Sequence, residues 1–260
     1  MTIYTITTIL AAAVFFICGL PVMLVLLIVD LISSQTAERI SYAMVCWGLR
    51  LVGKGTFCPV TVIGRENLLP GRGAMYAGNH RSIFDIVLTA PLLPRPFIIV
   101  AKEELGKVPL LSYWMKRIHC LFLDRKDIRA GAQMVADAAN EMKDGKSVLI
   151  FPEGTRTHTE GQLQHFKGGS FKIAIRAGAP VVPVTIIGTG NILEDHIETD
   201  HLKVYRTPVT IVIGKPIETE GMSIADRKTL PQKVEQVIAS TYQQYAPDRW
   251  IGMAEEEQEA

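Results

Sequence analysis

Asn79-His80-Arg81-Ser82-Ile83-Phe84-Asp85 is the stretch best equipped for chemistry. Histidine is the side chain whose ordinary pKa lies nearest neutrality, so His80 can take and return a proton at working pH. A carboxylate bonded to one ring nitrogen fixes the tautomer and frees the other as a base, and Asp85 is the nearby acid. Five residues along a regular helix turn through about 500°, which would leave the two side chains roughly 140° apart. They can meet only if His80 sits in a turn before a helix and Asp85 in its first turn. Asn79 or Ser82 would then cap that helix.

Other charged groups follow short apolar runs. Phe151-Pro152-Glu153-Gly154-Thr155-Arg156 succeeds Ser147 to Phe151, with Pro152 and Gly154 shaping a turn. Arg156 offers a planar fork suited to phosphate, and Glu153 could orient it or accept a hydroxyl. Arg125 follows Leu121 to Leu123, and Lys102 follows Phe97 to Ala101. Lys167 and Lys172 are further cations. If these runs are parallel strands, four strand ends bring His80/Asp85, Lys102, Arg125 and Glu153/Arg156 to one rim, where open α/β sheets bind ligands.

The elements needed for that arrangement are legible. Strands are expected at Val60 to Ile63, Ala74 to Gly78, Phe97 to Ala101, Leu121 to Leu123, Ser147 to Phe151, Val181 to Ile187 and Val209 to Gly214. Helices are expected at Leu110 to Arg117, Arg129 to Asp144, Phe171 to Ala177 and Ile224 to Tyr245. The alternation predicts an α/β fold, a mostly parallel sheet flanked by helices on both faces.

Upstream, Met1 to Val29 carries no charged side chain. Ile9 to Val29 would span about 32 Å as a helix, enough for a hydrocarbon core, with a kink expected at Gly19 and Pro21. A second apolar segment, Ala37 to Val52, places Tyr42 and Trp47 like interfacial anchors. One spanning helix plus an interfacial one, or a hairpin embedded in one leaflet, both fit. Arg39, Arg50 and Lys54 follow the first segment and favour a cytoplasmic position for what comes after. Three parts result: membrane-anchoring helices over 1–54, an α/β domain over 55–250 and an acidic, disordered tail over 251–260.

Of 260 residues, 48% are hydrophobic, and the net charge is +1, which argues against nucleic acid as a partner. The charge is uneven: residues 1–130 hold 14 Lys+Arg against 8 Asp+Glu, and residues 131–260 hold 13 against 18. The basic half suits an anionic lipid surface or substrate. Cys18, Cys46, Cys58 and Cys120 form no metal-type spacing and read as buried free thiols in a reducing compartment. No P-loop, no GxGxxG after a strand and no GxSxG elbow occurs.

Taken together, the blocks resemble the bacterial 1-acyl-sn-glycerol-3-phosphate acyltransferases of the glycerolipid acyltransferase superfamily. The resemblance rests on Asn79-His80 with Asp85, on Phe122-Leu123-Asp124-Arg125, on Phe151 to Arg156, and on Val182-Pro183-Val184. Lys102-Glu103-Glu104-Leu105 with Pro109 lies between the first two. It covers roughly residues 55–220. It implies a membrane-bound enzyme that moves an acyl group from acyl-CoA or acyl carrier protein to the free hydroxyl of a lysophospholipid. His80 would be the general base and Asp85 its orienting acid. Lys102, Arg125, Glu153, Gly154, Thr155 and Arg156 would bind substrate. Backbone N–H groups near the helix start would hold the developing oxyanion. No cofactor or metal is implied; the thioester is a co-substrate. The bacterial inner membrane is the implied location, with the catalytic domain facing the cytoplasm. Glycerol-3-phosphate or a lyso-ornithine lipid is the alternative acceptor. A lipid-binding membrane protein without catalysis, or a metal-dependent phosphohydrolase, is the alternative of another class.

Overall fold

The computed structural model describes residues 2–123, 127–200 and 202–254. Two long helices open the chain, α1 over Ile3–Ile32 and α2 over Ser34–Gly55. Then come β1 (Val60–Ile63), β2 (Met75–Gly78), α3 (Ile83–Thr89), β3 (Phe97–Lys102), α4 (Leu111–Arg117), β4 (Leu121–Leu123), α5 (Ile128–Lys143) and β5 (Ser147–Ile150). After these come β6 (Gln162–Leu163), α6 (Gly168–Ala177), β7 (Val181–Ile187), α7 (Ile197–Asp200), β8 (Val209–Ile213), α8 (Ile224–Tyr245) and β9 (Gly252–Met253).

Among the described residues, seven strands make one sheet in the order β1-β8-β7-β2-β5-β3-β4. Every neighbouring pair is parallel except β7 and β8. The carboxyl ends of β2, β5, β3, β4 and β7 therefore share one rim. Parallel neighbours need crossover connections, and these cover both faces with helices.

Alternation along each strand assigns the faces. Tyr76, Leu149, Val182 and Val184 join Phe84, Trp114 and the α2 residues Tyr42, Val45 and Cys46 in one core. Met75, Ala77, Val148 and Ile150 join Met134, Ala138 and Met142 of α5, Phe171 and Ile173 of α6, and Leu230, Val234 and Ile238 of α8 in the other. The last three recur every four residues, the spacing that puts one stripe of a helix against a sheet. Local capping agrees with this. Asp127 accepts from the N–H groups of Arg129 and Ala130 at the start of α5, and Ser223 from that of Asp226 at the start of α8.

α1 is long and apolar enough to cross a membrane by length and composition. Pro21 lies within it, and the helix runs on to Ile32. Both of its ends are tied to the α/β domain. Near the first, Thr2 Oγ1 donates to the Val204 carbonyl at 2.7 Å, and Val204 N–H donates to Thr5 Oγ1 at 2.9 Å. Near the second, Asp30 accepts a two-pronged bond from Arg117 at 2.6 and 3.2 Å. The remaining face of α1, from Ile3 through Leu10, Ile17, Leu24 and Ile28 to Leu31, is exposed.

Three expectations change. Tyr42 is no interfacial anchor: it is 3% exposed, and its hydroxyl donates to the carbonyls of Phe97 at 2.8 Å and Ile118 at 3.3 Å. Periodicity places a tyrosine on a face but does not say what covers that face. Trp47 is exposed. Cys18 lies exposed on α1, whereas Cys46 and Cys120 are buried. The expected tail is ordered at its start, because β9 pairs with β6; residues 255–260 lie outside the described residues.

Tyr42 thus ties α2 to β3 and to the end of α4. Tyr42→Phe leaves both buried carbonyls short of a donor, and we expect it to cost about 1–3 kcal/mol. Thermal unfolding in detergent measures this. An unchanged melting temperature would restore Tyr42 to an interfacial role.

Candidate active site

β2 ends at Gly78, and the chain turns through Asn79, His80 and Arg81 into α3. The Asn79 side chain works like a short piece of strand: its amide donates to the Ile186 carbonyl and its oxygen accepts from the Ile186 N–H, both at 2.8 Å. Ser82 is the N-cap of α3, and Asp85 sits at its third position, completing a capping box. Of the two caps expected from sequence, Ser82 is the one used.

This box brings the expected pair together. His80 Nδ1 lies 2.8 Å from Asp85 Oδ2, and Asp85 is fully buried. The same oxygen accepts from the N–H groups of Arg81 at 2.6 Å and Ser82 at 2.7 Å, and Oδ1 accepts from Thr189 Oγ1 at 2.5 Å. An ionised carboxylate can only accept, so the proton of a neutral His80 sits on Nδ1 and the lone pair on Nε2. The ring stacks on Phe151 at 4.2 Å and keeps 17% of its side chain exposed. The arrangement is an imidazole held ready to take a proton at the carboxyl end of the sheet.

Glu153 stands beneath this turn. It is 1% exposed, and its Oε1 accepts the His80 N–H at 2.9 Å. The sequence suggests that it touches substrate; the structure turns its carboxylate inward, against the backbone of His80. Burial pushes its pKa up to about 8. Gly154 turns the chain with φ +79°, and Thr155 and Arg156 are exposed beyond it. Lys102 ends β3 and is exposed on the same rim, two strands from β2. Asp124 and Arg125 lie outside the described residues.

The loop after β7 carries no motif of its own. Two short turns, Gly190–Ile192 and Glu194–His196, fold back over the start of α3. Glu194 accepts from Ser82 Oγ at 2.5 Å, from the Ile83 N–H at 2.8 Å and from Arg156 Nη1 at 3.2 Å. Asp195 accepts from Arg81 Nη2. Arg81 is buried and also donates to the Thr157 carbonyl at 2.5 Å, with Glu160 3.7 Å from its Nε. Its side chain passes so near Gly190 that a Cβ there would lie 2.7 Å from Arg81 Cγ. Burial pulls the Arg81 guanidinium below its usual value, and Glu160 and Glu194 oppose that. One sequence signal pointed here: the Val182-Pro183-Val184 run lies on β7, whose carboxyl end shares the rim.

The expected oxyanion donors are a correction. The N–H groups of Arg81 and Ser82 are taken by Asp85, that of Ile83 by Glu194 and that of Phe84 by Ser82 Oγ. The capping box that builds the His80–Asp85 pair, together with Glu194, consumes these amides.

Comparisons with known proteins agree on one relationship. A profile of the family described as Acyltransferase matches residues 59–187. The chain is 29% identical over 182 residues to the 1-acyl-sn-glycerol-3-phosphate acyltransferase of Borreliella burgdorferi, covering 68% of this chain and 72% of that protein. It is 31% identical over 193 residues to the enzyme of that name from Saccharomyces cerevisiae, covering 72% and 62%. The crystal structure of the 1-acyl-sn-glycerophosphate (LPA) acyltransferase PlsC from Thermotoga maritima superposes with TM-score 0.78 at 25% identity, over 95% of this chain and 96% of that one.

Glu153→Gln tests the placement of that residue. A carboxyl whose folded pKa is raised holds its proton when the unfolded chain has lost it, so wild-type stability falls as pH rises from about 4.5 towards about 8. The glutamine keeps an oxygen for the His80 N–H and has no proton to lose. Its melting temperature should rise relative to wild type across that window, as thermal scans at stepped pH will show. Parallel curves would place Glu153 in contact with water.

Proposed function

The chain belongs to the acyltransferase family, and from that premise we propose that it acylates the free hydroxyl of 1-acyl-glycerol-3-phosphate, drawing on acyl-CoA or acyl carrier protein and giving phosphatidate. The observation that carries the chemistry is the buried Asp85 carboxylate on His80 Nδ1. In this reading His80 Nε2 takes the acceptor's hydroxyl proton as its oxygen bonds to the thioester carbonyl carbon. Asp85 stabilises the imidazolium that forms. The tetrahedral intermediate then expels the thiolate by breaking the C–S bond, and the thiolate recovers the proton from Nε2. Atoms and charges balance with the thioester as co-substrate, so no cofactor or metal enters the scheme.

Arg156, beside His80 on the rim, supports a phosphate-bearing acceptor, with Lys102 and Arg125 as further cations. Glycerol-3-phosphate presents the same phosphate without an acyl chain. The exposed apolar face of α1 favours the acylated form, because a lysolipid resides where such a face is buried. Glu153 serves the base from below; Gly154 and Thr155 shape the turn that presents Arg156.

The two ends of α1 bear on membrane topology. A helix fastened at both termini to one domain cannot carry that domain on one side of a bilayer and end on the other. We therefore read α1 and α2 as a hairpin lodged in one leaflet, the second of the two arrangements the sequence allows, with the α/β domain on the cytoplasmic side of the bacterial inner membrane.

His80→Ala should lower release of free thiol from acyl-CoA with lysophosphatidate by about 10²–10⁴-fold, the usual contribution of a positioned base. The protein should still fold and float with liposomes. Turnover near wild type would overturn the assignment of His80. For topology, Ile3→Cys and Ile32→Cys in a cysteine-free background should both react with an impermeant thiol reagent from the same side of sealed vesicles. Labelling from opposite sides would mean that α1 crosses.

A further inference from the structure

Two consecutive acids clip the loop after β7 to the His80 turn, and their surroundings differ. Asp195 meets Arg81, and both side chains are largely buried, at 17% and 7% exposed. Breaking such a pair strands a charge away from water, so this clip is a fixed part of the fold. Glu194 is 10% exposed, but its cationic partner Arg156 is 49% exposed and reaches it through a single nitrogen at 3.2 Å. A one-pronged, screened pair of this kind is weak. Glu194 also keeps two other donors, Ser82 Oγ and the Ile83 N–H, so it is not orphaned when Arg156 leaves.

We infer that Glu194 weakens the enzyme's grip on a phosphate-bearing acceptor by holding Arg156 in the free protein and yielding it only to the phosphate. This rests on the lysophosphatidate reading above. A phosphate monoester offers the guanidinium two oxygens at once and more charge than a carboxylate, so it wins the exchange. A lysolipid without a phosphate has no anion to offer Arg156, so its binding is indifferent to Glu194. The carboxylate left nearby repels the arriving phosphate and so keeps its binding weaker than Arg156 alone would make it. Glu194 acts through Arg156 and is a positioning residue.

Glu194→Gln retains an oxygen for the Ile83 N–H and removes the charge. With lysophosphatidate at graded mole fractions in mixed micelles, its KM should fall by about two- to fivefold, the worth of an exposed ion pair. The KM for acyl-CoA should not change. In an Arg156→Gln background the same substitution should leave KM for lysophosphatidate unaltered. An unchanged or raised KM in the single variant, or an equal fall in the Arg156→Gln background, overturns the role of Glu194 while the acyltransferase reading stands. Failure of wild type to acylate lysophosphatidate at all overturns the acceptor assignment and this role with it.

Discussion

The carboxylate of Asp85 has no contact with solvent, and an unpartnered charge so placed would cost several kcal/mol. Four donors make its position tenable: the His80 ring, the amides of Arg81 and Ser82, and the Thr189 hydroxyl. They come from two strand ends, β2 and β7, so the charge can be buried only where those strands lie side by side. The pairing of Ala77 with Pro183 and of Gly78 with Val184 sets them there. The placing of the His80 ring, the cap of α3 and the loop after β7 are consequences of one anion needing company. Once that company is assembled, the imidazole has a single tautomer and a single orientation, which general-base chemistry requires.

The sheet supplies the rest by direction alone. Because β2, β5, β3 and β4 run parallel, whatever follows each of them gathers at one rim. Glu153 and Arg156 arrive after β5, and Lys102 ends β3. β7 reaches the same rim and β8 turns back antiparallel, which leaves the β7 loop free to fold over the His80 turn. The two acids at its tip differ in their cationic partners: Asp195 is locked to the buried Arg81, and Glu194 holds the exposed Arg156.

Much of this could be read from residues. Val60–Ile63, Leu121–Leu123 and Val181–Ile187 are strands with the expected bounds, and Ile224–Tyr245 is the expected helix. The spacing of His80 and Asp85 could be satisfied only by a turn entering a helix, and that is how it is satisfied. What stayed hidden had a common cause. Glu194, Asp195 and Thr189 lie more than a hundred residues from the motif they complete, and no period or short motif links them to it. Tyr42 has the composition of a membrane anchor and the environment of a core residue, because covering depends on which helix returns to which strand. Glu153 reads as a substrate ligand by type, and only the direction of its side chain shows that it holds the His80 backbone from behind. The amides at the start of α3 suit an oxyanion by position, and only their hydrogen bonds show that they are already taken.

The double fastening of α1 bears on kinetics. If its bare face is immersed in one leaflet, the height of the imidazole above the acyl chains is fixed by covalent and hydrogen-bonded geometry rather than by a flexible tether. The enzyme then meets its acceptor by lateral diffusion within a film. The concentration that governs its rate would be a surface fraction, sensitive to dilution by other lipids and indifferent to bulk volume. A co-substrate arriving from water would obey ordinary solution kinetics at the same centre.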